Sequence, residues 1–292
     1  MGVSWGVQER RLHGRSILFR GANAFLFILL ITTRLEEDAK ASAWVMEKGA
    51  SQVITTVTYD IADRSFNEQA ILVVSPKFQK GSINIYAEYG LTDWITLRLL
   101  PGYEIVQTSF SGERNKEKGF NRTGAGARIK LWSGRTQVVS VEATYFLRGE
   151  IRTTETNVLS RGTGDIDLRL LYGISRQFAL FKWRFDTFAD FQAGYRYRDG
   201  APPNEYHADM TLGVNLGSRW QILTQNFNIV SDGPGELEGQ AEFKSFQLHK
   251  AQISAVYDVT DRISLQLGGF RTLLGRNIVE EKAGFGAIWV RF

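Results

Sequence analysis

The sequence contains no cysteine, only three histidines and only five prolines among its 292 residues. The absence of cysteine excludes a disulfide scaffold, a cysteine-ligated metal site and a cysteine nucleophile. Three histidines spread over the chain disfavour a zinc site as well. The low proline count and the 12% aromatic content argue against a collagen-like or disordered chain. The sequence therefore predicts a folded protein without a metal or another cofactor.

The chain also has little net charge of either sign. The formal charge is +4, but positions 1–43 hold six basic and four acidic residues, so 29 basic and 27 acidic residues remain in the rest. A nucleic-acid-binding surface needs a strong basic field, and this balance does not supply one. We predict no nucleic-acid partner.

No apolar run is long enough to cross a bilayer as a helix, which takes about 20 residues. The longest run, from Ala22 to Ile31, follows four arginines: Arg10, Arg11, Arg15 and Arg20. A small-x-small motif, Ala41-Ser42-Ala43, stands before Trp44. This order is typical of an export signal, so we predict that residues 1–43 are a cleaved signal peptide and that residues 44–292 form one domain. An uncleaved anchor helix is the alternative.

The mature chain alternates between apolar and polar residues. Ile83, Ile85 and Ala87 fall on one face of a strand, whereas Asn84 and Glu88 fall on the other. A period of two predicts β-strands. The alternation continues through nearly the whole chain and predicts about twelve strands, with 10 to 14 possible, near 51–62, 80–90, 94–107, 121–132, 136–149, 164–175, 182–198, 205–217, 219–231, 241–257, 262–275 and 281–292.

The connections between these strands alternate in length. Short ones fall at 91–93, 133–135, 217–218 and 259–261, and longer polar ones at 63–79, 108–120, 150–163, 199–204, 232–240 and 276–280. Tight turns on one side and long loops on the other are typical of an outer-membrane barrel. We therefore predict an all-β fold, an antiparallel up-and-down transmembrane β-barrel. A soluble β-sandwich or β-propeller is the alternative.

Aromatic residues support the same interpretation. Ile288, Val290 and Phe292 share one face at the end of the sequence, and Phe292 is a candidate targeting residue for the barrel-assembly machinery. Four tryptophans lie near the short turns and are candidates for an interfacial girdle: Trp94, Trp132, Trp183 and Trp220. These features predict the outer membrane of a Gram-negative bacterium, with its lipids as partners.

The face opposite the apolar rows carries charges, which a barrel would direct into its lumen. The candidate lumen residues are Glu88, Arg98, Glu104, Arg128, Lys130, Glu142, Arg148, Asp165, Asp167, Arg169, Arg184, Asp186, Asp190, Arg196, Arg198, Glu205, Asp209 and Lys250. Rings of opposite charge could select polar solutes in a channel. Alternatively, the same charges pair across strands and fill a narrow interior.

An outer-membrane lipid hydrolase is a further alternative. His207 shares a face with Glu205 and Asp209, which could orient it, and Ser231 and Ser245 lie nearby in the predicted topology. A hydrolase needs a nucleophile, a base and an orienting group in contact. Because no motif nominates the serine, we predict that the protein is not an enzyme.

Several segments resemble a bacterial outer-membrane family named after the meta-pathway of phenol degradation. These are Tyr86-Ala-Glu-Tyr-Gly-Leu-Thr-Asp93 with the following Trp94 to Arg98, Gly49 to Thr56, Ala62-Asp-Arg-Ser-Phe66, and Tyr257-Asp-Val-Thr-Asp-Arg262. The resemblance extends thinly over residues 44–292. It implies a transport-related barrel and a link to aromatic compounds, but it assigns no ligand residues.

The sequence thus predicts a porin-like channel for the passive uptake of a small-molecule solute. A closed structural or envelope-associated barrel without transport is the runner-up. The two differ in whether the inward charges leave an open path between them.

Overall fold

A computed structural model describes residues 43–110, 113–120, 123–147, 149, 164–180, 183–200, 202–235 and 244–292. Its strands are β1 (Ser51–Phe66), β2 (Leu72–Thr92), β3 (Ile95–Leu100), β4 (Gly102–Phe110), β5 (Glu113–Phe120), β6 (Gly124–Ser133), β7 (Gln137–Phe146), β8 (Asp165–Leu180), β9 (Trp183–Tyr197), β10 (Glu205–Leu216), β11 (Trp220–Ser231), β12 (Gln247–Asp258), β13 (Ile263–Arg276), β14 (Ile278–Val279) and β15 (Lys282–Arg291). The predicted signal segment up to residue 42 and Arg148 lie outside the described residues.

The strands form one closed antiparallel sheet. Three strands of the wall are each interrupted once, as β3 with β4, β5 with β6, and β14 with β15, so twelve strands make up the wall. The break between β3 and β4 falls at Pro101, which has no N–H to donate to the ladder. Closure is complete because Val53 in β1 pairs with Ala87 in β2 on one side and with Val290 in β15 on the other. The predicted twelve-stranded barrel is confirmed.

The wall has a polar inner face and an apolar outer face. Along β1, Thr56 and Thr58 line the interior, whereas Val57, Tyr59 and Ile61 are exposed on the outside. An apolar outer surface is what lipid chains require of a transmembrane barrel. Trp94, Trp132 and Trp220 are exposed at the short-turn end, where the girdle was predicted, whereas the side chain of Trp183 is outside the description. No helix among the described residues is long and apolar enough to cross a membrane.

Two predicted loops are instead largely strand. The segments 63–79 and 108–120 were read as loops because their polar residues lack an apolar row, yet β2 begins at Leu72 and β5 occupies Glu113–Phe120. Lys77 in β2 pairs with Ser109 in β4, and Val106 in β4 pairs with Glu117 in β5. These ladders provide hydrogen-bond partners for the backbone N–H and C=O groups, so the strands need no apolar face to be stable there. The wall is therefore taller on this side than the sequence predicted.

The closed ladder leads to a simple test of the fold. We expect the folded protein in detergent to migrate differently on an electrophoresis gel before and after boiling, because a closed barrel resists unfolding by detergent at room temperature. A single mobility under both conditions would contradict closure.

Candidate functional site

The interior of the barrel contains a cavity of about 680 Å³. Its lining alternates along each strand, as the inward faces of β-strands must. On β1, for example, every second residue lines it: Gln52, Ile54, Thr56 and Thr58. The wall formed by β2, β3 and β6 to β10 is rich in ion pairs, whereas the wall formed by β1, β11, β12, β13 and β15 combines glutamine and aromatic side chains with one further ion-pair cluster.

The first ion-pair cluster has Arg128 of β6 at its centre. The Arg128 side chain is fully buried, and its guanidinium contacts Glu88 Oε1 at 2.9 Å and Glu142 Oε2 at 3.0 Å. Arg98 of β3 also contacts both carboxylates. The Tyr86 hydroxyl donates a hydrogen bond to Glu88. The strand register explains this cluster, because Glu88 pairs with Arg98 and Arg128 with Glu142 across neighbouring strands. Two arginines thus balance two glutamates.

A second cluster lies on β8, β9 and β10. Arg196 Nη2 lies 2.6 Å from Asp167 Oδ2, and Arg196 Nη1 lies 3.2 Å from Glu205 Oε2. Arg198 contacts the other oxygen of Glu205 at 2.8 Å and Asp165 at 3.5 Å. All five side chains are buried. Buried charges are tolerated only when they are paired, and these meet that condition.

His207 belongs to the same cluster. Its Nε2 lies 2.9 Å from Glu205 Oε2, and Arg169 Nη2 lies 3.3 Å from its Nδ1. Because arginine can only donate, Nδ1 accepts and the proton sits on Nε2, where it faces the glutamate. Arg169 continues to Asp209 at 2.7 Å and to Asp167 at 2.8 Å. His207 is therefore held between an arginine and a glutamate.

The serines that the hydrolase alternative would need are engaged elsewhere. The Ser231 hydroxyl accepts a hydrogen bond from the backbone N–H of Phe246 at 2.8 Å, and the Ser245 hydroxyl accepts one from Arg276 at 3.1 Å. Among the described residues, no group of histidine, aspartate and glutamate has the geometry of a metal site.

A third cluster joins the inner faces of β1, β2 and β12 to Glu281, which lies just before β15. Glu281 accepts hydrogen bonds from Lys80 at 3.0 Å and from Lys250 at 2.6 Å. Lys80 also contacts Asp60 at 3.2 Å. Two lysines again balance two carboxylates. The sequence prediction included Lys250 but not the other three members of the cluster, because Lys80, Asp60 and Glu281 lay near the edges of predicted loops.

The wall formed by β1, β11, β12, β13 and β15 also carries neutral polar groups beside aromatic rings. The amide of Gln252 donates to Gln225 at 2.6 Å, and the indole of Trp289 donates to Gln266 at 3.0 Å. The lining residues of this wall include Gln52, Gln221, Gln225, Gln252, Gln266, Leu223, Phe227, Phe270, Phe285 and Trp289. The sequence prediction selected only charged residues as lumen candidates and therefore missed these, although they follow the same alternation along their strands.

Residues 43–46 lie inside the barrel. The Ala43 carbonyl accepts a hydrogen bond from Ser140 at 2.7 Å, and the Trp44 carbonyl accepts one from Arg128 at 2.9 Å. The Met46 N–H donates to Thr96 at 2.7 Å. Because these three partners belong to the inner faces of β7, β6 and β3, the segment narrows the interior at the short-turn end. No position for this segment was predicted from the sequence. Ala43 is the last residue of the predicted signal peptide, immediately before the predicted cleavage site.

The candidate lumen residues predicted from the sequence fall into groups that line the cavity, are buried or are partly buried. Those that line the cavity are Glu88, Arg98, Arg128, Glu142, Asp167, Arg169, Arg196, Asp209 and Lys250. Glu104, Asp165, Asp190, Arg198 and Glu205 are buried, and Lys130 and Asp186 are partly buried. The side chain of Arg184 is outside the description. Their role in selectivity stays a prediction.

Phe292 is mostly exposed at the short-turn end. Its backbone N–H donates to Ser51 at 2.9 Å, and the Ser51 N–H donates to its carbonyl at 3.2 Å, so the last residue joins the closing seam. Its role in targeting stays a prediction.

Comparison with known proteins places the fold. No protein-family model matches the sequence, and no curated protein matches it. The structure is similar to that of the COG4313 outer membrane channel from Pseudomonas putida F1, with a TM-score of 0.62 and 15% identity over 88% of this chain and 100% of that one. It is also similar to the transport unit of the autotransporter AIDA-I from Escherichia coli, with a TM-score of 0.53 and 10% identity over 86% of this chain and 94% of that one.

Both similar proteins are outer-membrane barrels, and at these identities they show the fold alone. Together with the closed wall and the apolar outer surface, they place this chain in the outer membrane of a Gram-negative bacterium. The barrel implied by the family resemblance is confirmed, whereas membership of that family stays a prediction.

Proposed function

We propose that the protein is a porin-like channel for the passive uptake of small solutes across the outer membrane. The observation that carries the proposal is the cavity of about 680 Å³ inside the barrel. Cavities of roughly 300–1,000 Å³ hold a small organic molecule. The similar COG4313 protein from Pseudomonas putida is an outer membrane channel, which supports the same class of function.

The two walls suggest which solutes pass. Phe270, Phe285 and Trp289 offer apolar contacts, and neighbouring glutamines such as Gln266 offer both donors and acceptors. The ion-pair wall carries charges that already have partners. A small aromatic molecule with one or two polar groups meets complementary surfaces on both sides, so we propose aromatic compounds as candidate solutes.

Ion selectivity is expected to be weak. In planar bilayers the protein should give small single-channel currents, with similar permeability for potassium and chloride, because the cavity charges neutralise one another locally. Zero-current potentials measured across a salt gradient test this. A folded protein that passes no current would contradict the channel, and strong selectivity for one sign would contradict the balanced lining.

A closed barrel without transport is the second candidate. It is favoured by one observation, the segment 43–46 that lies across the interior and is held by Arg128 and Ser140. Conductance with this segment in place and displaced distinguishes the two candidates.

A further inference from the structure

A group of cations lies on the outside of the barrel wall, away from the cavity. Arg64, Arg271 and Lys282 surround Glu280, whose side chain is only 2% exposed. Arg64 contacts Glu280 Oε2 at 2.8 Å, Arg271 contacts Oε1, and Lys282 Nζ lies 3.6 Å from Oε2. The three cationic side chains are 40%, 53% and 40% exposed. We call them the cation triad.

The register places Arg271 and Lys282 on the membrane side of the wall, and Arg64 joins them through its contact with Glu280. Lys282 pairs with Arg271 on β13 and with Ile61 on β1, which is exposed on the outer face. The alternation agrees, because Glu281, just before β15, and Phe285, on β15, line the cavity at odd positions, whereas Lys282 is at an even one.

The triad lies at the height along the barrel where the lipid headgroups begin. Arg271 lies eight residues from Ile263 at the short-turn end of β13, and Lys282 lies nine residues from Arg291 at the same end of β15. A rise of ~3.3 Å per residue, along strands tilted by ~40°, puts them about 20–23 Å above that end. The apolar band of outer-membrane barrels is about 25 Å tall. Below the triad, the outward residues Leu267 and Ile288 are exposed and apolar.

Arg64 and Arg271 keep N–H groups that do not contact Glu280 and can donate to an additional anion. The contacts with Glu280 use Nε and Nη2 of both Arg64 and Arg271. A guanidinium has five N–H groups, so each arginine keeps further N–H groups for a ligand while Glu280 fixes its orientation. Three cations against one carboxylate leave an excess of positive charge at this site.

The same side of the barrel carries more cations further out. Arg114, Lys116 and Lys118 are exposed on β5, and Lys77 is exposed on β2. Lys118 pairs with the outward Ile105, so this row faces the same way as the triad. Across the barrel, the outward residues near the corresponding ends of β7, β9 and β10 are Tyr145, Tyr197 and Tyr206. The positive charge is therefore concentrated on the side formed by β13, β15, β1, β2, β4 and β5.

We propose that the cation triad binds the phosphate group of a phosphorylated glycolipid in the outer leaflet. The acyl chains then lie against Ile61, Leu267 and Ile288, and the cations on β5 and β2 face the part of the headgroup that extends outward. Basic clusters beside an apolar surface attract anionic lipids, and each lysine or arginine tightens binding about fivefold.

The test compares lipid binding to the folded protein in detergent by native mass spectrometry. The probes are diphosphoryl lipid A, the same lipid without phosphates, and inorganic phosphate. The variant R271Q/K282Q keeps the Arg64–Glu280 pair, so Glu280 is not left without a partner. We expect it to bind diphosphoryl lipid A about 30-fold more weakly than the unchanged protein, from the loss of two cations.

The matched control is R135Q/R219Q, which removes the same charge from exposed positions at the short-turn end. It should bind the lipid as the unchanged protein does. Equal losses in both variants, equal binding of the lipid without phosphates, or equally tight binding of inorganic phosphate alone would overturn the proposal. Heat-modifiable migration verifies folding, and if R271Q/K282Q does not fold, K282Q alone should weaken binding about fivefold.

Discussion

Replacing Arg128 with glutamine is expected to lower the free energy of unfolding of the barrel by about 3–5 kcal/mol, the usual loss when one partner of a buried ion pair is removed. The guanidinium contacts Glu88 and Glu142, and the change leaves these two carboxylates with Arg98 as their shared cation. It also removes the hydrogen bond to the Trp44 carbonyl. Urea unfolding of the protein in detergent, followed by tryptophan fluorescence, measures the loss.

Two further variants isolate the cause. The double variant R128Q/E142Q removes one cation and one carboxylate together, so it should recover part of the lost stability, and the double-mutant cycle gives the coupling between the two side chains. R128K keeps the charge but cannot form the two-pronged contact, so it should fall between R128Q and the unchanged protein. A loss below about 1 kcal/mol in R128Q would mean that water reaches the cluster and screens it.

The alternation of residues predicted the barrel because the bilayer and the interior impose opposite demands on successive side chains. Arg128 and Glu142 could be assigned to one face from sequence parity alone. Their contact could not be predicted, since it depends on the register between β6 and β7. The same limit applies to Arg196, whose partners Asp167 and Glu205 come from the two strands beside it.

Other features had no periodic signal. The segment 43–46 has an irregular backbone, and its position is fixed by contacts with residues far along the chain, such as Thr96 and Ser140. The strand β5 carries charged or polar residues on both of its faces and lacks an apolar row, so its pattern is that of a loop. Its pairing with β4 stabilises it instead. The glutamine wall escaped prediction because neutral side chains do not mark a site by charge.

Replacing Gly90 with alanine is expected to raise the single-channel conductance several-fold. A methyl group added at Gly90 would lie 1.8 Å from the Glu47 carbonyl oxygen and 2.9 Å from that of Met46. Both are backbone atoms, so the segment must move as a unit rather than by rotation of one side chain. Because Trp44 and Met46 in this segment narrow the short-turn end, its displacement should widen the path.

Gly81 provides the matched control in the same strand, since a methyl group added there meets nothing within 4 Å. G81A should therefore conduct as the unchanged protein does, whereas G90A should conduct more, with both variants still heat-modifiable. Equal currents from a folded G90A would show that the segment does not limit flow. If the unchanged protein and G90A both pass no current, the ion pairs themselves close the interior, and the barrel without transport becomes the better description of this chain.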